Sequence, residues 1–75
     1  MYLSLSSLKD AHPAGEYRAD HGCYYFVDQD NDLGYYIQYN DGKFEDEANW
    51  VDIDTLDEVE RADCENVLSL ITSRM

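Results

Sequence analysis

Three aspartates at every second position form the part of this chain that comes nearest to a metal-binding pattern. The segment Asp28-Gln29-Asp30-Asn31-Asp32 has oxygen ligands at the first, third and fifth positions, as a calcium-binding EF-hand loop does. Position 6 is Leu33 where the loop needs glycine, and position 12 is Tyr39 where the ion needs a bidentate glutamate. Asp and Asn side chains also accept hydrogen bonds from the backbone of their own turn. We therefore expect a hairpin turn here and predict no metal site.

The histidines and cysteines do not have the spacing of a zinc site or of an activated nucleophile. His12 and His21 lie nine residues apart, and Cys23 is the one sulfur ligand close to either. Acidic residues on both sides of Cys64 oppose formation of the thiolate that reactivity requires. Because the N-terminus lacks the features of a secretion signal, we expect free, partly buried thiols and a cytoplasmic protein.

Paired acids such as Asp52 and Asp54 are the residue types used in glycoside hydrolysis. A chain of 75 residues, however, forms one small domain and buries only about 60% of its unfolded surface, which leaves no cleft for a sugar ring. The sequence contains no complete catalytic motif. We predict a single domain over residues 1–75 that is not an enzyme and binds no cofactor.

Acidic residues dominate the chain and are concentrated in its middle. Seventeen Asp and Glu against five Lys and Arg give a formal net charge of −12. Fourteen of these acids lie in the acidic block, Asp28 to Glu65, where Lys43 and Arg61 are the only bases. Such a surface repels nucleic acid and anionic membranes, so a basic protein is the expected partner.

The apolar pattern predicts antiparallel strands joined by tight turns. Aromatic and β-branched residues fill two segments on either side of the Asp28 turn, and Asn40-Asp41-Gly42 supplies a second turn. The candidate strands are 16–19, 22–27, 33–39, 43–45 and 50–53. We predict an α+β fold: an antiparallel three- to four-stranded β-meander from about Gly15 to Ile53, with a C-terminal α-helix packed on one face.

The C-terminal stretch changes to a helical period. Apolar residues at 64, 67, 68 and 71 follow helical spacing and should pack on the sheet. Thr55-Leu56-Asp57-Glu58 fits a capping box with Thr55 as the N-cap. Because Glu60 and Asp63 interrupt the apolar stripe, the sequence allows one helix with a frayed acidic first half, or a turn followed by a helix from about Ala62 to Arg74. Residues 2–9 are compatible with a strand or a short helix.

Two adjacent tyrosine pairs, Tyr24-Tyr25 and Tyr35-Tyr36, fall on the predicted strands. Since successive side chains of a strand point to opposite faces, one ring of each pair should face the core and the other should face outward. The outward rings either pair across strands to cover the sheet or form a protein-binding face. Tyr25 and Tyr36 are the candidates for partner contacts.

The acidic block is denser than solubility requires, because a net charge of about 2 to 8 is sufficient for a small domain. Acids two residues apart on a strand stand about 6.6 to 6.8 Å apart, and acids four apart on a helix stand about 5 to 6 Å apart. Successive phosphates of a nucleic-acid strand are separated by roughly 6 to 7 Å. Rows of such acids could occupy a groove built for a phosphate backbone.

In size, charge and mixed α/β content, the whole chain resembles the small acidic inhibitors that phages and other mobile elements direct against host nucleic-acid enzymes. These include anti-CRISPR proteins, restriction inhibitors and the uracil-DNA glycosylase inhibitor. No shared motif carries the resemblance, so it assigns no functional residue. It implies a stoichiometric DNA mimic that blocks a basic DNA- or RNA-binding surface, in the host cytoplasm if the protein is phage-encoded.

The leading hypothesis is therefore a nucleic-acid-mimicking inhibitor. Its predicted contacts are the acids of the turn, of the following loop and of the segment before the helix: Asp28, Asp30, Asp32, Glu45, Asp46, Glu47, Asp52, Asp54, Asp57 and Glu58. One alternative is an immunity protein or antitoxin that neutralises a basic toxic enzyme by the same electrostatics. Another is an acidic adaptor domain without inhibitory function.

Overall fold

A computed structural model describes residues 2–75 and contains short strands and two α-helices. The strands are β1 (Tyr2–Leu3), β2 (Glu16–Arg18), β3 (Cys23–Val27), β4 (Leu33–Ile37), β5 (Phe44–Glu45) and β6 (Asn49–Trp50). Helix α1 spans Leu5–Ala11, a 3-10 turn spans Ile53–Thr55, and helix α2 spans Glu58–Arg74. The predicted α+β class, with antiparallel strands and a C-terminal helix on the sheet, is confirmed.

The main sheet has the antiparallel order β2-β3-β4-β6. Its register places Tyr25 between Glu16 and Tyr35, and Gly34 opposite Trp50. The segment predicted as the next strand of the meander, 43–45, instead pairs with β1 in a separate two-stranded sheet. Phe44 is fully buried in a cluster with Leu8 and Tyr24. It keeps one antiparallel bridge, to Gln38 just past the end of β4, while β6 pairs with Gly34 and Tyr35 along the same edge.

Helix α2 packs on one face of the main sheet, as predicted. Cys64, Val67 and Ile71 are buried against Cys23, Tyr25 and Leu33, with Leu68 at the margin. Cys64, Val67 and Ile71 are spaced so that they lie on one face of α2. Together with the three strand residues they form the larger of the two apolar clusters.

The start of α2 differs from both predicted starts. The N-cap is Asp57, whose side chain accepts a hydrogen bond of 2.8 Å from the backbone N–H of Glu60. Thr55 instead belongs to the 3-10 turn, where its hydroxyl donates to the carbonyl of Asp52. The Arg61 side chain donates to two carbonyls of this turn region, which fixes it against the first turn of α2. Acids in that first turn are favourable because they face the positive end of the helix dipole.

The ambiguous N-terminal segment contains both a strand and a helix. Residues 2 and 3 form β1, and Ser4 then caps α1 by accepting a hydrogen bond from the backbone N–H of Ser7. Leu8 of α1 is buried against Tyr24, on the sheet face opposite α2. The main sheet is therefore covered on both faces.

This double covering changes the expected exposure of the tyrosines. Tyr24 is 1% exposed and Tyr25 is 7% exposed, so neither ring of this pair faces solvent. The prediction that one of them points outward is wrong, because α2 covers one face of β3 and α1 with β5 covers the other. Tyr25 therefore lies in the core and not on the exposed face that the sequence suggested.

Neither helix within residues 2–75 combines the length and the apolar character needed to cross a membrane.

Replacing Ile71, which is 1% exposed, tests the α2 core. We expect Ile71→Ala to lower the free energy of unfolding by about 2 to 5 kcal/mol, since it removes buried methyl groups and leaves a cavity. Leu68→Ala should cost less because Leu68 is only partly buried. The control is Leu70→Ala, at a position 44% exposed on the same helix. Denaturant unfolding that gives equal values for Ile71→Ala and Leu70→Ala would contradict this packing.

Candidate partner-binding surface

The predicted contact acids are accessible. Eight of the ten are exposed, and Asp28 and Glu45 are partly buried. Exposure follows from their positions, because they lie in turns, at a short edge strand and at the start of a helix rather than on the covered faces of the sheet. They can therefore meet a partner without unfolding of the domain.

The arginines of residues 2–75 give the acidic block little charge compensation. The arginine salt bridges within residues 2–75 are Arg18–Asp20 at 3.1 Å and Arg74–Glu16 at 2.7 Å, and both use acids outside the block. The hydrogen bonds from Arg18 hold the pKa of the Asp20 carboxyl below its ordinary value. Arg61, a base inside the block, donates to backbone carbonyls. The block thus keeps a large excess of negative charge, mostly on exposed side chains.

The turn between β3 and β4 has the predicted aspartate hairpin geometry. Asp28 Oδ1 accepts hydrogen bonds from the backbone N–H groups of Asp30 and Asp32, at 3.0 and 2.9 Å. Asn31 takes the left-handed conformation that the turn requires, with φ 65°. Carboxylate oxygens of the three aspartates come within 4.8 Å of one another. The turn therefore presents the three carboxylates as one compact cluster of negative charge.

Strand register separates the contact candidates into groups. The backbone N–H of Val51 donates to the carbonyl of Leu33 at 2.9 Å, so the chain leaves β6 beside the start of β4. Asp52 therefore lies at the same end of the sheet as the Asp28 turn. Glu45, Asp46 and Glu47 precede β6 and lie toward the opposite end of β4, because Asn49 faces Tyr35. The remaining candidates, Asp54, Asp57 and Glu58, lie in the 3-10 turn and at the start of α2.

Two adjoining hollows separate the first half of α2 from the sheet, and we refer to them together as the α2 groove. One, of about 390 Å³, has Tyr25, Tyr35, Leu56 and Glu60 among its lining residues. The other, of about 280 Å³, is lined by His21, Tyr25, Glu60, Asp63 and Cys64. Tyr25, Glu60 and Cys64 line both hollows. Sequence reasoning missed this feature.

A sequence signal for the α2 groove did exist. Glu60 and Asp63 are the residues that interrupt the apolar stripe of α2, and the structure places both at the groove. The stripe becomes continuous only from Cys64 onward, where the helix contacts the core. The interruption therefore indicates where α2 stands over a hollow and not over the core.

Burial affects the titration of the tyrosine and cysteine side chains at the floor of the α2 groove. The Tyr25 hydroxyl lies 3.0 Å from Nδ1 of His21, and burial raises the pKa of this phenol. Burial also raises the pKa of the Cys64 thiol, and of Cys23 beneath the helix. Both cysteines are free and buried, as the sequence predicted.

Tyr36 belongs to an aromatic cluster on the opposite face of the sheet. The ring centroid of Phe26 lies 5.2 Å from that of Tyr36, 5.4 Å from that of Trp50 and 4.4 Å from that of His12. Gly34 makes room for this packing, because a Cβ there would stand 2.4 Å from the Phe26 ring. The partly buried Tyr36 thus pairs across strands, while Trp50, which sequence reasoning did not select, is 54% exposed at the edge of the cluster.

Comparison with known proteins finds no family model, no curated protein and no solved structure that matches this chain. Its function therefore has to be inferred from its charge and its surface.

The buried thiols lead to a redox prediction. Because Cys23 and Cys64 are free, adding a reducing agent should leave the melting temperature unchanged within error. Both thiols should react with a maleimide slowly in the folded protein and rapidly in denaturant, since burial raises their pKa and restricts access. A fall of several degrees on reduction would instead reveal a disulfide.

The clustered aspartates lead to a calcium prediction. Although their carboxylates lie close together, the turn lacks the glycine and the bidentate glutamate of an EF-hand loop. Calorimetric titration with calcium at physiological ionic strength should show no saturable micromolar site. A one-site isotherm that is lost in Asp30→Ala and kept in Asp41→Ala would contradict the prediction.

Proposed function

We propose that this protein is a stoichiometric inhibitor that mimics nucleic acid and blocks the basic surface of a DNA- or RNA-binding enzyme. The observation that carries the proposal is a large negative charge, exposed on the surface of a very small protein and balanced by few basic residues. The net charge of −12 over a longest dimension of 32 Å is one charge per about 2.7 Å. A nucleic-acid strand carries one charge per about 3.4 Å and the duplex one per about 1.7 Å, so the protein lies between them.

The likeness to nucleic acid is one of charge density. The compact Asp28 turn and the separate Glu45–Glu47 loop present concentrated charges at two ends of the sheet. A basic groove that normally binds a polyanion would attract these charges over a distance of about a Debye length, roughly 8 Å at physiological salt. Association should therefore be fast and should slow as salt increases.

The same observation favours one second candidate, an immunity protein or antitoxin. Acids in any arrangement can neutralise a basic toxic enzyme, because attraction between charged surfaces requires only complementary potentials. Such a protein can bind beside the active site, whereas a mimic occupies the nucleic-acid site itself. Competition with nucleic acid separates the two functions. Free buried thiols suit either function in the reducing cytoplasm, which is the compartment we propose.

The proposal predicts that binding depends on the acidic groups. We expect replacement of Asp28, Asp30 and Asp32 with Asn, or of Glu45, Asp46 and Glu47 with Gln, Asn and Gln, to weaken target binding by roughly tenfold. Each exposed ion pair contributes up to about 1 kcal/mol, and tenfold corresponds to about 1.4 kcal/mol. The fold should stay intact or become slightly more stable because self-repulsion falls.

The measurement begins with the partner recovered by pull-down from the native host and identified by mass spectrometry. Binding of the purified partner is then measured across a salt series, with and without competing DNA or RNA. Asp10→Asn, on α1 outside the block, is the control for loss of one charge. Affinity that is unaffected by salt, by competitor and by both triple substitutions would reject mimicry. Salt-sensitive binding without competition would favour the immunity protein.

A further inference from the structure

The α2 groove combines negative charge with aromatic walls. Glu60 stands at its centre, Asp63 lies at the end near His21, and Asp52 lies at the end near Leu56. Within residues 2–75, none of these three carboxylates accepts a side-chain hydrogen bond or forms a salt bridge. Arg18 interacts with Asp63 only through long-range electrostatic attraction. The Arg61 side chain donates its hydrogen bonds to the carbonyls of Ile53 and Leu56.

These acids contribute little to folding. Glu60 and Asp63 are neighbours on one face of α2, and like charges at that spacing destabilise a helix by a few tenths of a kcal/mol. Neither side chain joins the apolar cluster beneath the helix. A cation placed between α2 and the sheet would relieve this repulsion.

The floor of the α2 groove suits a flat cation. Tyr25 and Tyr35 lie side by side on neighbouring strands, with ring centroids 6.1 Å apart and planes at 52°. Aromatic faces attract cations, and arginine stacks on them more often than lysine does. The Tyr25 ring is buried and its hydroxyl is already paired with His21, so the partly buried Tyr35 is the ring that can offer its face to a cation.

We infer that the α2 groove is the anchoring site for an arginine side chain of the basic partner. A guanidinium is planar, is more weakly hydrated than an ammonium and presents five N–H donors, so one group can stack on tyrosine and reach the carboxylate of Glu60. The hollow of about 390 Å³ is at the small end of ligand pockets, which is the size for one side chain rather than a folded segment. This inference rests on the proposed function only in requiring a basic partner.

The test is a titration of the ¹⁵N-labelled protein with N-acetyl-arginine amide, followed by NMR. We expect saturable shifts, with a millimolar dissociation constant, at the amides of Tyr35, Asp52, Glu60 and Cys64. N-acetyl-citrulline amide has nearly the same shape without the charge and should give at least tenfold weaker binding. Shifts spread evenly over the whole acidic block, or equal binding of citrulline, would overturn the inference.

Matched variants locate the binding. Glu60→Gln should weaken arginine binding at least fivefold, whereas Glu65→Gln, exposed on the same helix and away from the α2 groove, should have little effect. Both variants lose one charge, so equal effects would show nonspecific attraction and overturn the site. Circular dichroism checks the fold, which should persist because the Asp57 cap bonds to the backbone of residue 60 and not to its side chain.

The outcome is separable from that of the proposed function. One possible result is saturable arginine binding that is lost in Glu60→Gln, with partner binding that is unaffected by competing nucleic acid. This result would support the α2 groove as an arginine site and reject mimicry. Partner binding that competes with nucleic acid and is unchanged in Glu60→Gln would support mimicry and reject the groove.

Discussion

Burial of β3 on both faces is the constraint on which the rest of the structure depends. A chain with net charge −12 repels itself, and only apolar burial offsets that repulsion. Tyr25 and Cys23 pack under α2, while Tyr24 packs with Leu8 and Phe44 on the other side. Each cluster needs a segment distant in sequence, so the N-terminus, β5 and the C-terminal helix must all converge on one strand.

This convergence determines where the charge can lie. With both faces of the central strand covered, the acids are confined to turns, to short edge segments and to exposed positions on the two helices. The turn at Asp28 uses one carboxylate to satisfy its own backbone, which draws the three aspartates together. The surface consequently carries dense clusters of negative charge around a small body.

The α2 groove exists because α2 is longer than the apolar stripe that packs it on the sheet. The middle and the second half of α2 pack on the sheet through Cys64, Val67 and Ile71. The first turns of the helix extend beyond this packed region. There the helix carries Glu60 and Asp63 above two tyrosines, and the 3-10 turn held by Arg61 closes the far side. Charge and aromatic surface meet because the apolar stripe is shorter than the helix.

The sequence by itself determined the class of fold, the turn at Asp28, the core residues of α2 and the excess of negative charge, because local periodicity and composition encode these properties. Only the tertiary structure decided that β5 pairs with β1, that Asp57 and not Thr55 caps α2, and that Tyr25 is buried. A period-2 pattern shows which residues share a face of a strand, but it does not show whether that face is covered. Covering depends on contacts between residues far apart in the chain, such as Leu8 with Phe44, and no local pattern records them.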